Sequence, residues 1–172
     1  MATATRRIVS YHEVQRFGQW WLWIVVLGIA ALQWYSFIEQ IVLGRPFGDN
    51  PAPDWLLIPL VLLFGIGLPW LFAASRLVTV VRPEALYVQL FPFHLKPVVI
   101  RWDSIAACSG GKYNPILDYG GWGIRLGRDG RAYNVSGNLG VKLELKQGRS
   151  LLIGTRHPVE LAAAINAMLK SS

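Results

Sequence analysis

The placing of apolar residues divides the chain into two parts of different periodicity. Between residues 20 and 74 apolar side chains run almost without interruption, broken only by one turn-rich stretch, whereas beyond residue 76 they recur at every second position. Residues 55–74, WLLIPLVLLFGIGLPWLFAA, hold no charge and are long enough to cross the hydrocarbon core of a bilayer as a helix. Their twelve Leu, Ile, Val and Phe residues favour insertion by roughly −4 to −7 kcal/mol in sum, before the Pro and Gly contributions are subtracted. Residues 20–38, WWLWIVVLGIAALQWYSFI, are also uncharged, with Trp20, Trp21 and Trp23 at one end and Trp34, Tyr35 and Phe37 at the other, the arrangement of two interfacial aromatic belts. The bulky residues from Trp34 onward argue against a cleaved signal peptide.

Residues 44–54, GRPFGDNPAPD, are dense in turn formers, so the two apolar segments are expected to form an antiparallel hairpin within residues 19–75. Gln33 is a polar interruption suited to the helix partner, and Gly28 with Ala31 would let that partner approach closely. Pro59, Pro69, Gly65 and Gly67 predict a kinked or closely packed second helix. Ahead of the hairpin, in an N-terminal segment 1–18, Ser10 and Glu13 have the spacing of a capping box. Tyr11, Val14 and Phe17 then share one helical face, which predicts a short interfacial helix.

From residue 76 to 172 the alternation predicts a small β-rich α+β domain. Leu77, Thr79 and Val81 alternate with Val78 and Val80, and Leu86, Val88 and Leu90 form one face of 85–91. Further strands are expected at 98–102, 105–112, 123–126 and 131–135, the last two joined through Asp129-Gly130, a dipeptide with strong turn chemistry. Val141-Lys142-Leu143-Glu144-Leu145-Lys146 demands one buried and one wet face, as an antiparallel sheet provides, and 150–153 follows after Gln147-Gly148. Residues 113–121 read as a loop. Pro158, Glu160 and the face made by Leu161, Ala162, Ile165, Met168 and Leu169 predict an amphipathic C-terminal helix that caps the sheets.

Charge adds an orientation to this picture. Of 17 basic and 10 acidic residues, 13 basic and 6 acidic ones fall in 76–172, while Arg45 is the only basic residue of the hairpin loop and Arg6, Arg7 and Arg16 flank its start. The positive-inside rule then places both termini in the cytoplasm. Cys108 is the only cysteine, so an intrachain disulfide or a cysteine metal cluster is impossible.

Motifs that would carry chemistry fail on inspection. Ser109-Gly110-Gly111-Lys112 lacks the upstream Gly of a phosphate loop and is followed by Tyr113 rather than Ser or Thr. Gly121 and Gly123 open a dinucleotide fingerprint, yet Leu126 stands at the third glycine and a strand follows. These glycines instead suit a bulge or close backbone approach beside Trp122. His12, His94 and His157 match no metal spacing, and no nucleophile elbow surrounds Ser136. The Asn134-Val135-Ser136 sequon would not meet the glycosylation machinery in the cytoplasm. The remaining candidate site is the positive cluster Arg125, Arg128, Arg131, Lys142, Lys146, Arg149 and Arg156. Each of these near a bilayer would add about 1 kcal/mol of attraction to anionic headgroups.

The succession of short strands and one final helix after a pair of apolar helices, with the words GGWGIR (120–125), RAYNVSGN (131–138) and LELKQGRSLLIGTRHPVELAAAI (143–165), resembles the bacterial pleckstrin-homology-like (PH-like) membrane proteins of uncharacterised function. The resemblance implies an antiparallel, partly open barrel or two-sheet sandwich on the cytoplasmic face of the bacterial inner membrane, and carries over no catalytic residue. Phosphoinositide-binding relatives place several basic residues in the first strand turn, where this chain has Arg82-Pro83-Glu84. The expectation is therefore a membrane-anchored, non-enzymatic module that binds a protein partner or an anionic lipid surface. It would use no cofactor or metal and bind no nucleic acid, with membrane lipids and a protein partner or second copy as partners. The alternatives are an accessory subunit of a larger membrane complex, and a membrane-bound enzyme using 113–121 with Asp118.

Overall fold

The computed structural model describes residues 10–127 and 130–171. It divides into two compact units: Gly18–Ala74, and a unit that joins the segment ending at Phe17 to the chain from Ser75 onward.

The first unit is a helical hairpin. Helix α1 (Trp20–Phe37) continues as a π-helical turn, Ile38–Val42, and the returning helix runs as α2 (Asp54–Leu60), a π-helical stretch Val61–Gly67, and α3 (Leu68–Ala74). Both helices, Trp20–Val42 and Asp54–Ala74, are long and apolar enough to cross a membrane. The π stretch lies between the two prolines, and its cause is chemical. Pro69 has no N–H to give the Gly65 carbonyl, so the ladder widens, and that carbonyl accepts the Trp34 indole N–H at 3.3 Å. Close packing therefore falls at Gly65, where a Cβ would sit 3.1 Å from Trp34 Nε1, and not at Gly28, which faces open space. Val26 and Ala30 are buried on one helix, Leu57 and Val61 on the other. Gln40 closes the open end, donating to Ala52 O at 2.6 Å and Asp54 Oδ1 at 2.7 Å.

The second unit is the β-rich α+β domain. Strand β1 (Tyr11–Arg16) pairs with β2 (Arg76–Val81), followed by β3 (Leu86–Phe91) and β4 (Val98–Ile100), in one antiparallel sheet of that order. The second sheet contains β5 (Ile105–Lys112), β6 (Gly123–Leu126), β7 (Gly130–Asn134), β8 (Leu139–Leu145) and β9 (Ser150–Gly154), in the order β5-β8-β9-β7-β6. The inward residues of both sheets, Leu77, Val88, Leu90, Val141, Leu143 and Ile153 among them, share one core, capped by Leu161 and Ile165 of helix α5 (Pro158–Ser171). Gly110 is required here: a Cβ would lie 2.7 Å from Pro158 O.

Four expectations for this unit are corrected. Residues 11–16 are an edge strand, not a helix, with Tyr11 opposite Val81 and Arg16 opposite Arg76. Glu13 caps nothing. Its carboxylate accepts the Tyr11 hydroxyl at 2.7 Å, the Thr155 hydroxyl and the Arg156 N–H at 2.9 Å, and Gln15 donates to Gly154 O at 2.7 Å. These bonds tie β1 to the end of β9, so the first sheet gains a strand through polar contacts that no apolar alternation announces. Second, the sheets are not wholly antiparallel, because β7 runs parallel to β9 with Ala132 opposite Leu152. Third, 113–121 holds a one-turn helix, α4 (Pro115–Tyr119), capped by the Asn114 side chain and ended by left-handed Gly120. Fourth, Trp102 lies in a 3₁₀ turn instead of ending β4, and its indole donates to Pro83 O at 2.9 Å, fastening the β2–β3 turn.

Candidate functional site

The register of the second sheet sets Arg131 and Lys142 on opposite faces. Lys142 on β8 stands opposite Leu152, and Arg131 on β7 opposite Leu151, while Lys146 and Arg149 flank the β8–β9 turn. All four line one open concavity of about 1150 Å³, bounded by Val98 and Ile100 of the first sheet and by the ends of β6 and β7. Glu144 is the acidic residue in the same wall. Arg125 is not among its lining residues. It extends along β6, where its Nε donates to Trp122 O at 2.9 Å. Arg156 lies beyond the end of β9, with its backbone N–H on Glu13. Arg128, together with Asp129 of the expected turn, lies outside the described residues. Gly127 N–H donates to Gly130 O at 2.7 Å.

One wall of the concavity is ordered by residues that the charge pattern does not reveal. Arg131 Nη1 donates to the Tyr133 hydroxyl at 3.2 Å, and the His94 ring meets the Tyr133 ring edge-on at 5.3 Å. Arg131 and Tyr133 lie two residues apart on one strand and so face the same way. That period was the available signal. Burial lowers the His94 pKa, and the positive charge of Arg131 lowers it further. His94 Nδ1 in turn accepts the Leu90 N–H at 3.4 Å, and Gln89 Nε2 donates to His94 O at 2.9 Å and to Leu95 O at 3.3 Å.

A second concavity, of about 570 Å³, lies over the outer face of β5 and β8 and includes Lys112, Tyr113, Asp118, Tyr119 and Lys142. Here Tyr113 packs against Gly140, where a Cβ would stand 3.2 Å from its ring, and its hydroxyl accepts Asn134 Nδ2 at 2.8 Å. Burial raises the Tyr113 pKa, and the hydrogen bond from Asn134 offsets part of that. Asp118 accepts the Asn114 N–H at 2.8 Å and so completes the cap of α4, a structural use of the acid the enzyme alternative relied on. His157 sits 3.6 Å from Glu160 on the first turn of α5. Burial pushes the Cys108 thiol up to about 11. Among the described residues no group of three or more His, Cys, Asp or Glu is placed to hold a metal ion.

Nearly the whole chain, residues 4–172, matches one family, described as a family of unknown function (DUF6141). The chain belongs to the DUF6141 family. No curated protein matches it. The match begins upstream of β1 and runs to the end of α5, so the DUF6141 unit takes in both the apolar hairpin and the β domain around it.

Proposed function

We propose that this DUF6141 protein is a membrane-anchored, non-enzymatic module of PH-like type. The helices Trp20–Val42 and Asp54–Ala74 cross the bacterial inner membrane with both ends of the chain in the cytoplasm, and the β domain binds the anionic headgroups of that membrane. The observation that carries the reading is the gathering of Arg131, Lys146 and Arg149 around one open concavity. Two packed sheets capped by a C-terminal helix support the PH-like reading at the level of architecture. The outward-facing apolar residues of the hairpin, such as Trp55, Leu62 and Leu63, support its immersion in lipid.

The chemistry required is simple. An open cationic mouth near a negative surface gains about 1 kcal/mol per Lys or Arg, an attraction that falls away within a Debye length. The test is to reconstitute the full chain in nanodiscs of phosphatidylcholine and phosphatidylglycerol and to measure how strongly phosphatidylglycerol is enriched around it. Replacing Arg131, Lys146 and Arg149 together by Gln removes three charges, on the order of 3 kcal/mol, and should abolish the enrichment. Equal enrichment by the wild type and the triple variant would refute the reading.

A further inference from the structure

The exposed loop between β3 and β4, residues 92–97, carries two large apolar side chains turned to the outside. Phe93 is 59% and Leu95 85% exposed, and Lys96 follows at the surface. The loop is held in this posture. His94, between the two, turns inward onto Tyr133, and Gln89 takes the carbonyls of His94 and Leu95, so Phe93 and Leu95 are directed away from the domain by the bonds that fix His94. The Leu90 carbonyl accepts the His94 N–H at 2.8 Å and tightens the turn.

Register shows which end of the domain this loop occupies. Phe91, the last residue of β3, stands opposite Arg76, the first of β2, and Arg76 stands opposite Arg16, the last of β1. Residues 17–19 separate Arg16 from α1, and Ser75 alone separates α3 from Arg76. Both covalent links to the apolar hairpin thus leave the β domain from the end that carries the loop. Single-residue and three-residue tethers cannot carry that end far from the surface the hairpin enters, since each residue spans at most about 3.3–3.6 Å. The charges at this end suit a negative surface: Arg16, Arg76, Lys96 and Arg131 are exposed there, Arg76 lies over the Phe91 ring at 5.3 Å, and residues 86–100 contain no Asp or Glu.

We infer that the loop 92–97 is an interfacial anchor, with Phe93 and Leu95 inserted into the headgroup and acyl boundary of the same bilayer the hairpin crosses, and the Arg and Lys residues around them on lipid phosphates. Such a pairing of apolar tips with surrounding cations is the chemistry of interfacial binding. The inference rests on the proposed membrane crossing. It names the bilayer, not a protein, as what covers these side chains.

The test uses the full chain with Cys108→Ala as background and Leu95→Cys or Phe93→Cys labelled with an environment-sensitive fluorophore. Val159→Cys, on the exposed start of α5, is the reference. Proteoliposomes are made of phosphatidylcholine alone, or of phosphatidylcholine with phosphatidylglycerol, each with and without brominated acyl chains. Labels at 93 and 95 are expected to emit to the blue of the label at 159 and to lose about half of their emission to brominated lipid, with little loss at 159. Emission at 93 and 95 matching that at 159 would overturn the inference. Blue-shifted emission that bromine does not quench would overturn it too, by assigning the loop to a protein contact. Quenching at 93 and 95 that persists in phosphatidylcholine alone, with no phosphatidylglycerol enrichment around the protein, would sustain the anchor while refuting the headgroup selectivity. Enrichment without quenching would do the reverse.

Discussion

Single residues in the β domain show where its stability is improvable and where it depends on pH. Thr79 faces the core at 1% exposure, and its hydroxyl has no hydrogen-bond partner among the described residues. Thr79→Val keeps the shape and removes a buried polar atom, so it should stabilise the domain by about 1 kcal/mol in denaturant unfolding. A loss of stability would mean that the hydroxyl is satisfied. His94 sets a pH dependence of known sign. Burial, and then Arg131, make its protonated form less favourable in the fold than in the unfolded chain. Its contribution is complete above the unfolded pKa of about 6.5 and is lost as the pH falls toward the lower folded value. Protonation also removes Nδ1 as acceptor for the Leu90 N–H. The midpoint of thermal unfolding should therefore fall between about pH 7 and pH 5 in the wild type, and less steeply in His94→Gln. Parallel slopes would exclude His94 as the source.

At the level of elements, β1 is the least expected feature and the most informative one. Its inward positions are Tyr11, Glu13 and Gln15 and its outward ones His12, Val14 and Arg16, so neither face repeats an apolar residue. Pattern reading finds β8 because Val141 and Leu143 alternate with Lys142 and Glu144, and misses β1 because its attachment is polar. Gln15 is the test. Its side chain is 1% exposed and joins a strand of the first sheet to Gly154 of the second. Gln15→Ala leaves that buried carbonyl without its donor and should cost about 1–3 kcal/mol in unfolding of the full chain. A change within the usual ±0.5 kcal/mol of a surface substitution would show that β1 is not part of the cooperative unit. The parallel pairing of β7 with β9 was illegible for another reason: alternation assigns faces, not neighbours. The same limit applies to the site. Each basic residue is visible in the chain, but only the β7–β9–β8 register sets Arg131 and Lys142 on opposite faces of the sheet and leaves Arg156 beside Glu13.

Across the whole molecule, the β domain is assembled from both sides of the apolar hairpin, with β1 supplied before it and the other strands and α5 after it. Both links to the hairpin therefore leave from the paired ends Arg16 and Arg76, as a hairpin that enters and leaves a bilayer on one side requires. On the membrane crossing proposed above, the turn-rich loop between the helices, with Arg45 as its single basic residue, is expected on the far side of the bilayer under the positive-inside rule. The measurement that tests this account most directly is labelling with a membrane-impermeant maleimide in a Cys108→Ala background, with a reporter cysteine at Asp49 in the hairpin loop or at Val159 in α5. In right-side-out vesicles the account predicts labelling at 49 and protection at 159, with the pattern exchanged in inverted vesicles. Labelling of both positions from the same side would contradict it.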